Sequence, residues 1–405
     1  MRLLLEAYYE PQFSDRSHGF RPRKGCHTAL REVARTWTGT TWFIESDIPQ
    51  CFDRLDHTVL LGILGDKIHD NRFLWLLRNM LQAGYLEDWE YNTTLSGAPQ
   101  GGVASPILSN IYLDRLDTFV ETVLIPQYTR GENRKHNSTY VEVTTALKRA
   151  RCRGDRTTAR QLRKRQRNLP RGDPHDPHYR RLRYARYADD QLLGFTGPKA
   201  EAEQIKQRLT TFLRNTLKLE LSQDKTLITH ARTGAAKFLG YEIIVQHADH
   251  RRAINGVVGL RVPTDVIKAK CAPYCKLGKP EARTPLVNND DYAIVATYGA
   301  QYRGLANYYL LAGDVSRLNR VRWVMYTSLL KTLAGKHRSS VSKMAARYKT
   351  TISTPHGPRT CLQATVERTG RKPLTATFGG IPLNGSATRS FSTANQPRAS
   401  SAVRS

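Results

Sequence analysis

Positions 14–125 alternate short apolar runs with turn residues, the pattern of a mixed α/β segment. Before it, MRLLLEAYYEPQF reads as the first turns of a helix that ends before Pro11. Thr41 to Asp47 (TWFIESD) predicts a short buried strand, and the chain leaving it, PQCFDRLDHTVLLGIL, can continue as a helix. Arg72 to Gln82 carries apolar residues on most faces and predicts a buried helix. Tyr184 to Phe195 reads as two short strands flanking a turn at Asp189 and Asp190. Ala202, Ile205, Leu209, Phe212, Leu213 and Leu217 then fall at helical spacing, giving an amphipathic helix to cover one face of a sheet. Pro263 to Tyr348 reads as mostly helical and as a separate domain.

Between about Arg130 and Arg183 apolar residues thin out, basic ones dominate, and Gly, Pro and His cluster in RGDPHDPHYRR. The expectation is an insertion outside the core, either a solvated basic loop or a nucleic-acid contact. From Asn384 the Ser-, Ala- and Arg-rich tail predicts disorder.

Charge narrows the class. The 405 residues carry a formal net charge of +28 with a pI near 10.1, which calls for a polyanionic partner. No run of 18 apolar residues and no clean basic amphipathic face points to a membrane, so nucleic acid is the expected partner. The six cysteines are scattered, with only Cys271 and Cys275 close together, so neither a disulfide framework nor a paired zinc site is indicated. These two read as buried thiols, and a reducing cytoplasm is the expected location.

The candidate chemistry lies in YADDQLLGF. Adjacent carboxylates in a tight turn, Asp189 and Asp190, repel one another unless a cation neutralises them, which points to a divalent metal. Asp47, at the end of another predicted strand, could complete a site for two Mg²⁺ ions about 3.5 to 4 Å apart, the arrangement of phosphoryl transfer. An Asp-Asp pair taken alone is also found in helix caps and surface turns.

The order of motifs resembles the right-hand palm of reverse transcriptases, most closely the group II intron reverse transcriptase/maturase family. The matching stretches are SHGFRPRKGCHTAL (17–30), SDIPQCFDRLDH (46–57), SGAPQGGVASPILSNIYLDRLD (96–117), YARYADD (184–190), LELSQDKT (219–226) and KFLGYEI (237–243). Further stretches in 298–348 are similar to that family's thumb or maturase domain. The resemblance implies an α+β fold, an antiparallel palm sheet covered by helices with partial fingers, followed by a helical thumb/maturase (X) domain. The implied divisions are 1–40 partial fingers, 41–125 and 184–262 palm, 126–183 basic insertion, 263–350 thumb/maturase, 351–383 C-terminal extension and 384–405 tail. It implies an RNA-directed DNA polymerase that also assists intron splicing, acting on group II intron RNA, an RNA template with DNA primer, and deoxynucleoside triphosphates.

Residue by residue, it implies that Asp47, the backbone carbonyl of Ile48, Asp189 and Asp190 ligate the metals. Phe52 is then a steric gate against a 2′-hydroxyl, with ordinary core packing as its other reading. Pro99, Gln100, Gly101 and Gly102 form a turn at the nucleotide, where Gln100 hydrogen-bonds it. Lys225 resembles a lysine that protonates the leaving pyrophosphate, against a solvated surface lysine.

The family's pattern includes an N-terminal extension, a first fingers motif with triphosphate-gripping cations, and an HNH endonuclease with paired cysteines. None is found here, so the expectation is an N-terminally truncated chain without the endonuclease. The competing reading is an RNA-binding maturase or a relic without polymerase activity, supported by the charge and by Tyr302, Arg303, Tyr308 and Tyr309. Tyr298, Tyr302, Leu305 and Tyr309 also fall near one helical face, the mark of core. An RNA-copying RNA polymerase is disfavoured because the turn is YADD and not GDD.

Overall fold

The computed structural model describes residues 1–383 except 88, 93–95, 98–101, 174–175, 223, 248–254 and 356. Pro99, Gln100, Gly101 and the 384–405 tail lie outside the described residues. The chain divides into two compact units, 1–239 with 243–259, and 240–242 with 260–405. No helix among the described residues is long and apolar enough to cross a membrane.

The first unit is built on a four-stranded antiparallel sheet, in the order Arg181–Tyr187, Asp190–Thr196, Trp42–Ser46, Ile228–His230. The two central strands are buried on both faces, which is why they read as apolar runs rather than alternations. One face, with Ile44, Tyr184 and Leu193, packs in the same core as the helices Ser105–Phe119 and Lys199–Leu217. Ala202, Ile205, Leu209, Leu213 and Leu217 are fully buried there, each contributing about 1.5 to 3 kcal/mol for the larger side chains. On the other face Phe43 stacks on Trp37, and Trp37 lies so close to Gly194 that a Cβ there would meet the indole ring at 2.6 Å.

Three expectations are corrected here. The helix after the first strand begins at His57, not directly after Asp47: Gln50 takes a left-handed φ of 53°, and the Asp56 side chain caps His57–Gly65 by accepting from Val59 N–H at 2.9 Å. The Asn71–Gln82 helix is not buried. Only Leu77 and Leu81 are, four apart on one face, whereas Trp75 and Leu76 are 64% and 50% exposed.

The basic insertion is a helical hairpin, Ser138–Cys152 and Arg156–Asn168, not a solvated loop. Val143, Leu147 and Ala150, spaced four and three apart, are buried, and Asn137 and Asp155 cap the two N-termini. The ends of the insertion are tied down by backbone bonds: Asn137 N–H donates to the Arg171 carbonyl at 3.0 Å, and Arg130 and Arg180 exchange bonds of 3.1 and 3.0 Å.

The second unit contains the helices Thr264–Cys271, Asp291–Tyr308, Asn319–Lys336 and Val341–Tyr348. Strands Lys349–Thr354, Gly357–Arg368 and Arg371–Gly379 follow as an antiparallel sheet. Tyr298 and Tyr302 are fully buried against Phe378, with ring centroids 6.4 and 5.5 Å away, so that stripe is core, while Arg303 on the same helix is exposed. Gly299 lies against the Thr377 backbone, where a Cβ would come within 2.2 Å of the carbonyl. Of the cysteine pair, Cys271 is buried and Cys275 half-buried.

Asp291 ties three helices of this unit together. Its carboxylate accepts from Lys336 Nζ and His337 Nε2, each at 2.9 Å, and from the Tyr348 hydroxyl. Burial pushes its pKa up, but the hydrogen bonds from Tyr348, Lys336 and His337 outweigh it and hold the group down at about 2. A carboxylate depressed on folding stabilises the fold above its unfolded pKa of about 3.9, by on the order of 2 kcal/mol here, and that contribution is lost as pH falls toward about 2. We therefore expect Asp291→Asn to lower the melting temperature at neutral pH and the gap from wild type to shrink below about pH 4. Melting curves across that range check this, and a gap of constant size would refute it.

Candidate active site

Asp47 is the residue immediately after the Trp42–Ser46 strand. The register ends on Ser46 opposite Gln191, so position 47 falls one step further, opposite position 190. Across the other hairpin Tyr187 pairs with Asp190, which leaves Ala188 and Asp189 as the two turn residues. Ala188 takes a left-handed φ of 54°, strained for a residue with a Cβ. The sheet thus brings Asp47, Asp189 and Asp190 to one edge.

What holds that strained turn is a buried ion pair. Arg186, fully buried, donates from Nε to Asp117 Oδ1 at 2.8 Å and from Nη1 to the Ala188 carbonyl at 2.9 Å. Tyr184, two residues earlier on the same strand face, donates its hydroxyl to the same Asp117 oxygen at 2.8 Å. Arg186 also reaches Ser17 Oγ at 2.9 Å and Asn110 Oδ1 at 3.3 Å, while Asn110 Nδ2 donates to the Gly19 carbonyl at 2.9 Å. Gly19 backs directly onto the turn: a Cβ there would lie 2.2 Å from Ala188 N. Ser17, Gly19, Asn110, Asp117 and Arg186 were not singled out from sequence, although each sits inside a quoted motif. The available signal was Arg186 itself, a cation in step with Leu182 and Tyr184 on what is otherwise the apolar face of the Arg181–Tyr187 strand.

The electrostatics of the edge are those of crowded like charges. Burial and then the neighbouring carboxylates Asp189 and Asp47 push Asp190 up to about 6, with Lys225 pulling the other way. Asp189 is raised too, by burial first and then by Asp47. Lys225, whose side chain is 70% exposed, donates from Nζ to Asp47 Oδ2 at 2.8 Å. Burial and then Asp189 push the buried Cys51 thiol up to about 12, which keeps it protonated beside these carboxylates. Among the described residues no three His, Cys, Asp or Glu side chains are arranged to hold one ion. The donors nevertheless suit a hard divalent cation: they are carboxylate oxygens that raise one another's pKa, and the cation now on Asp47 is an exposed lysine.

Ile48 is buried next to Asp47. Phe52 is half-buried and meets Phe20 edge-on at 5.9 Å, and Phe20 in turn lies 6.4 Å from Tyr187. Gly97, at φ +86°, approaches the Phe52 and Asp53 backbone so closely that a Cβ would come within 2.6 Å. Its N–H donates to the Leu55 carbonyl at 2.8 Å and its carbonyl pairs with His57 Nε2 at 2.7 Å. The start of the SGAPQGG segment is therefore docked beside Phe52. Gly102 accepts from Ser105 N–H at 3.2 Å where the next helix begins.

Residues 1–141 match the reverse transcriptase (RNA-dependent DNA polymerase) family model, and residues 259–367 match that of the type II intron maturase. The chain is 37% identical over 371 residues to the group II intron-encoded protein LtrA of Lactococcus lactis, covering 86% of this chain. It is similar to the group II intron-encoded reverse transcriptase/maturase proteins. The putative COX1/OXI3 intron 1 protein of Saccharomyces cerevisiae is 32% identical over 86% of this chain. The chain spans 62% of the length of LtrA and 44% of that of the yeast protein. Among solved structures, telomerase from Candida albicans in complex with a telomeric RNA fragment covers 85% of this chain and 55% of its own, at 12% identity and a TM-score of 0.38. Members of this polymerase family generally use divalent metal ions, in keeping with the carboxylate donors at the sheet edge.

Proposed function

We propose that this chain is an RNA-directed DNA polymerase that copies group II intron RNA and also assists its splicing as a maturase. The observation that carries the reading is the convergence of Asp47, Asp189 and Asp190 on one sheet edge, in a chain whose first 141 residues match the reverse transcriptase family. In this reading the first unit is the palm with partial fingers. The second is the thumb/maturase domain, supported by the maturase match over 259–367.

Asp47, Asp189, Asp190 and the Ile48 carbonyl would hold two Mg²⁺ ions, which when bound supply activation of a primer 3′-hydroxyl and stabilisation of the leaving pyrophosphate. Phe52 lies under the sugar of the incoming deoxynucleotide and shuts out a 2′-hydroxyl by volume. Pro99, Gln100 and Gly101 shape the nucleotide site, with Gln100 hydrogen-bonding the nucleotide. Lys225, next to Asp47, donates a proton to pyrophosphate. The Arg186–Asp117 pair keeps the Asp189 turn in place while charge moves through the site.

Primer extension on an RNA template with deoxynucleotides and Mg²⁺ tests the polymerase reading. Extension supports it, whereas salt-sensitive binding of intron RNA without extension would leave the maturase role alone. For the gate, Phe52→Val is expected to accept ribonucleotides, with discrimination falling by on the order of 10- to 200-fold, as for other contacts of a few carbons in a pocket. Competing deoxy- and ribonucleotide incorporation measures it, and unchanged discrimination would return Phe52 to ordinary packing.

A further inference from the structure

At the end of the sheet away from Asp47, the first unit carries an open cleft of about 1200 Å³. Trp42, the first residue of its strand, lines it, so it lies roughly 16 Å along that strand from Asp47 at about 3.3 Å per residue. The end of the insertion hairpin, from Arg167 to Gly172, forms one wall. Arg232 and residues 245–247 form another, and Gly39 and Gly256, joined by an N–H to carbonyl bond of 2.8 Å, also line it.

The lining is of one sign. Arg134, Arg167, Arg171, Arg180, Lys199 and Arg232 contribute cations, His230 and His247 add imidazoles, and no Asp or Glu lines it among the described residues. Some of these charges are spoken for. Arg180 pairs with Glu201 at 2.8 Å, Lys199 with Glu203 at 3.4 Å, and Arg134 lies over the Tyr179 ring at 5.2 Å. Arg167, Arg171 and Arg232 are exposed and make no ion pair among the described residues. Three such guanidinium groups facing one space repel each other and draw in a polyanion.

The shape and lining select which polyanion. Single strands are held by aromatic faces on which bases stack. Here the one lining Trp, Tyr or Phe among the described residues is Trp42, and it is engaged: Nε1 donates to the Gly197 carbonyl at 3.1 Å and its ring meets His230 edge-on at 4.9 Å. Cations without a stacking face recognise the phosphates of a helix, not unstacked bases.

We propose that this cleft is a docking site for the phosphodiester backbone of double-helical RNA, separate from the carboxylate edge where copying takes place. The inference rests on the RNA-binding reading given above. In an intron complex it would let the chain hold a folded stem at one end of the sheet while the other end stays open to primer and template.

The test uses the full chain and a blunt RNA hairpin that offers no primer end. In Arg167→Gln, Arg171→Gln, Arg232→Gln, the slope of log affinity against log salt is expected to become shallower by about 2 to 3, one for each phosphate contact removed. The turnover rate at saturating primer-template stays at the wild-type value. A control, Arg149→Gln, Arg160→Gln, Arg163→Gln, removes the same charge from exposed hairpin positions outside the cleft and should leave the slope near wild type. Equal slopes in the two triple variants, a loss confined to single-stranded RNA, or a fall in turnover would overturn the proposal. If wild type binds the hairpin but fails to extend primers, the polymerase reading falls and the binding comparison still decides the cleft.

Discussion

Asp189→Ala, Asp190→Ala is expected to lower primer extension by about a thousand-fold or more, because charge stabilisation by bound metal ions contributes several kcal/mol to phosphoryl transfer. The same change relieves repulsion between carboxylates that already sit in a partly buried, like-charged cluster. The variant should therefore melt no lower than wild type, and its RNA binding should be retained. Mg²⁺ should raise the melting temperature of wild type and not of the variant, since a ligand stabilises only a fold that binds it. Extension that persists in the variant would remove these carboxylates from the chemistry and with them the polymerase assignment.

Asp117→Ala carries the largest expected cost in stability. It leaves Arg186 fully buried without its counter-charge and takes the acceptor from the Tyr184 hydroxyl. Removing one partner of a buried pair costs about 3 to 5 kcal/mol, through the stranded charge more than through the lost attraction. For a unit of this size that corresponds to a fall in melting temperature of roughly 6 to 20 °C. Replacing both partners by apolar residues, Asp117→Leu with Arg186→Met, should recover much of the stability because no charge is left stranded. That double variant should stay impaired in extension, since the Ala188 carbonyl has lost its donor and the Asp189 turn its clamp. A single variant as stable as wild type would show that the pair does not support the fold, and a double variant of full activity would show that it does not position the turn.

Some of this was legible in the order of residues. The Trp42–Ser46 strand and the hairpin around Asp189 were, because both strands are buried on both faces and their apolar runs end on acidic residues. The Lys199–Leu217 helix was readable from spacing alone, since five positions at intervals of three and four must share a face. The insertion hairpin was not, because Val143, Leu147 and Ala150 are few and outnumbered by basic residues, so composition concealed a correct period. The strands of 349–379 were hidden for a related reason: their buried residues, Cys361, Leu362, Ala364, Ala376 and Phe378, gain their role only by packing on a helix some 70 residues away in sequence.

The sequence by itself determined the two strands that carry Asp47 and Asp190 at their ends, the helix with regular apolar spacing and the need for a polyanionic partner, because each follows from local periodicity or summed charge. Only the tertiary structure decided that position 47 lies opposite position 190, that Arg186 is buried on Asp117, and that Arg232 faces the same cleft as Arg167 and Arg171. These are meetings of residues tens to well over a hundred positions apart. They are set by strand register and by which buried charges find partners, and neither is written in any local stretch of chain.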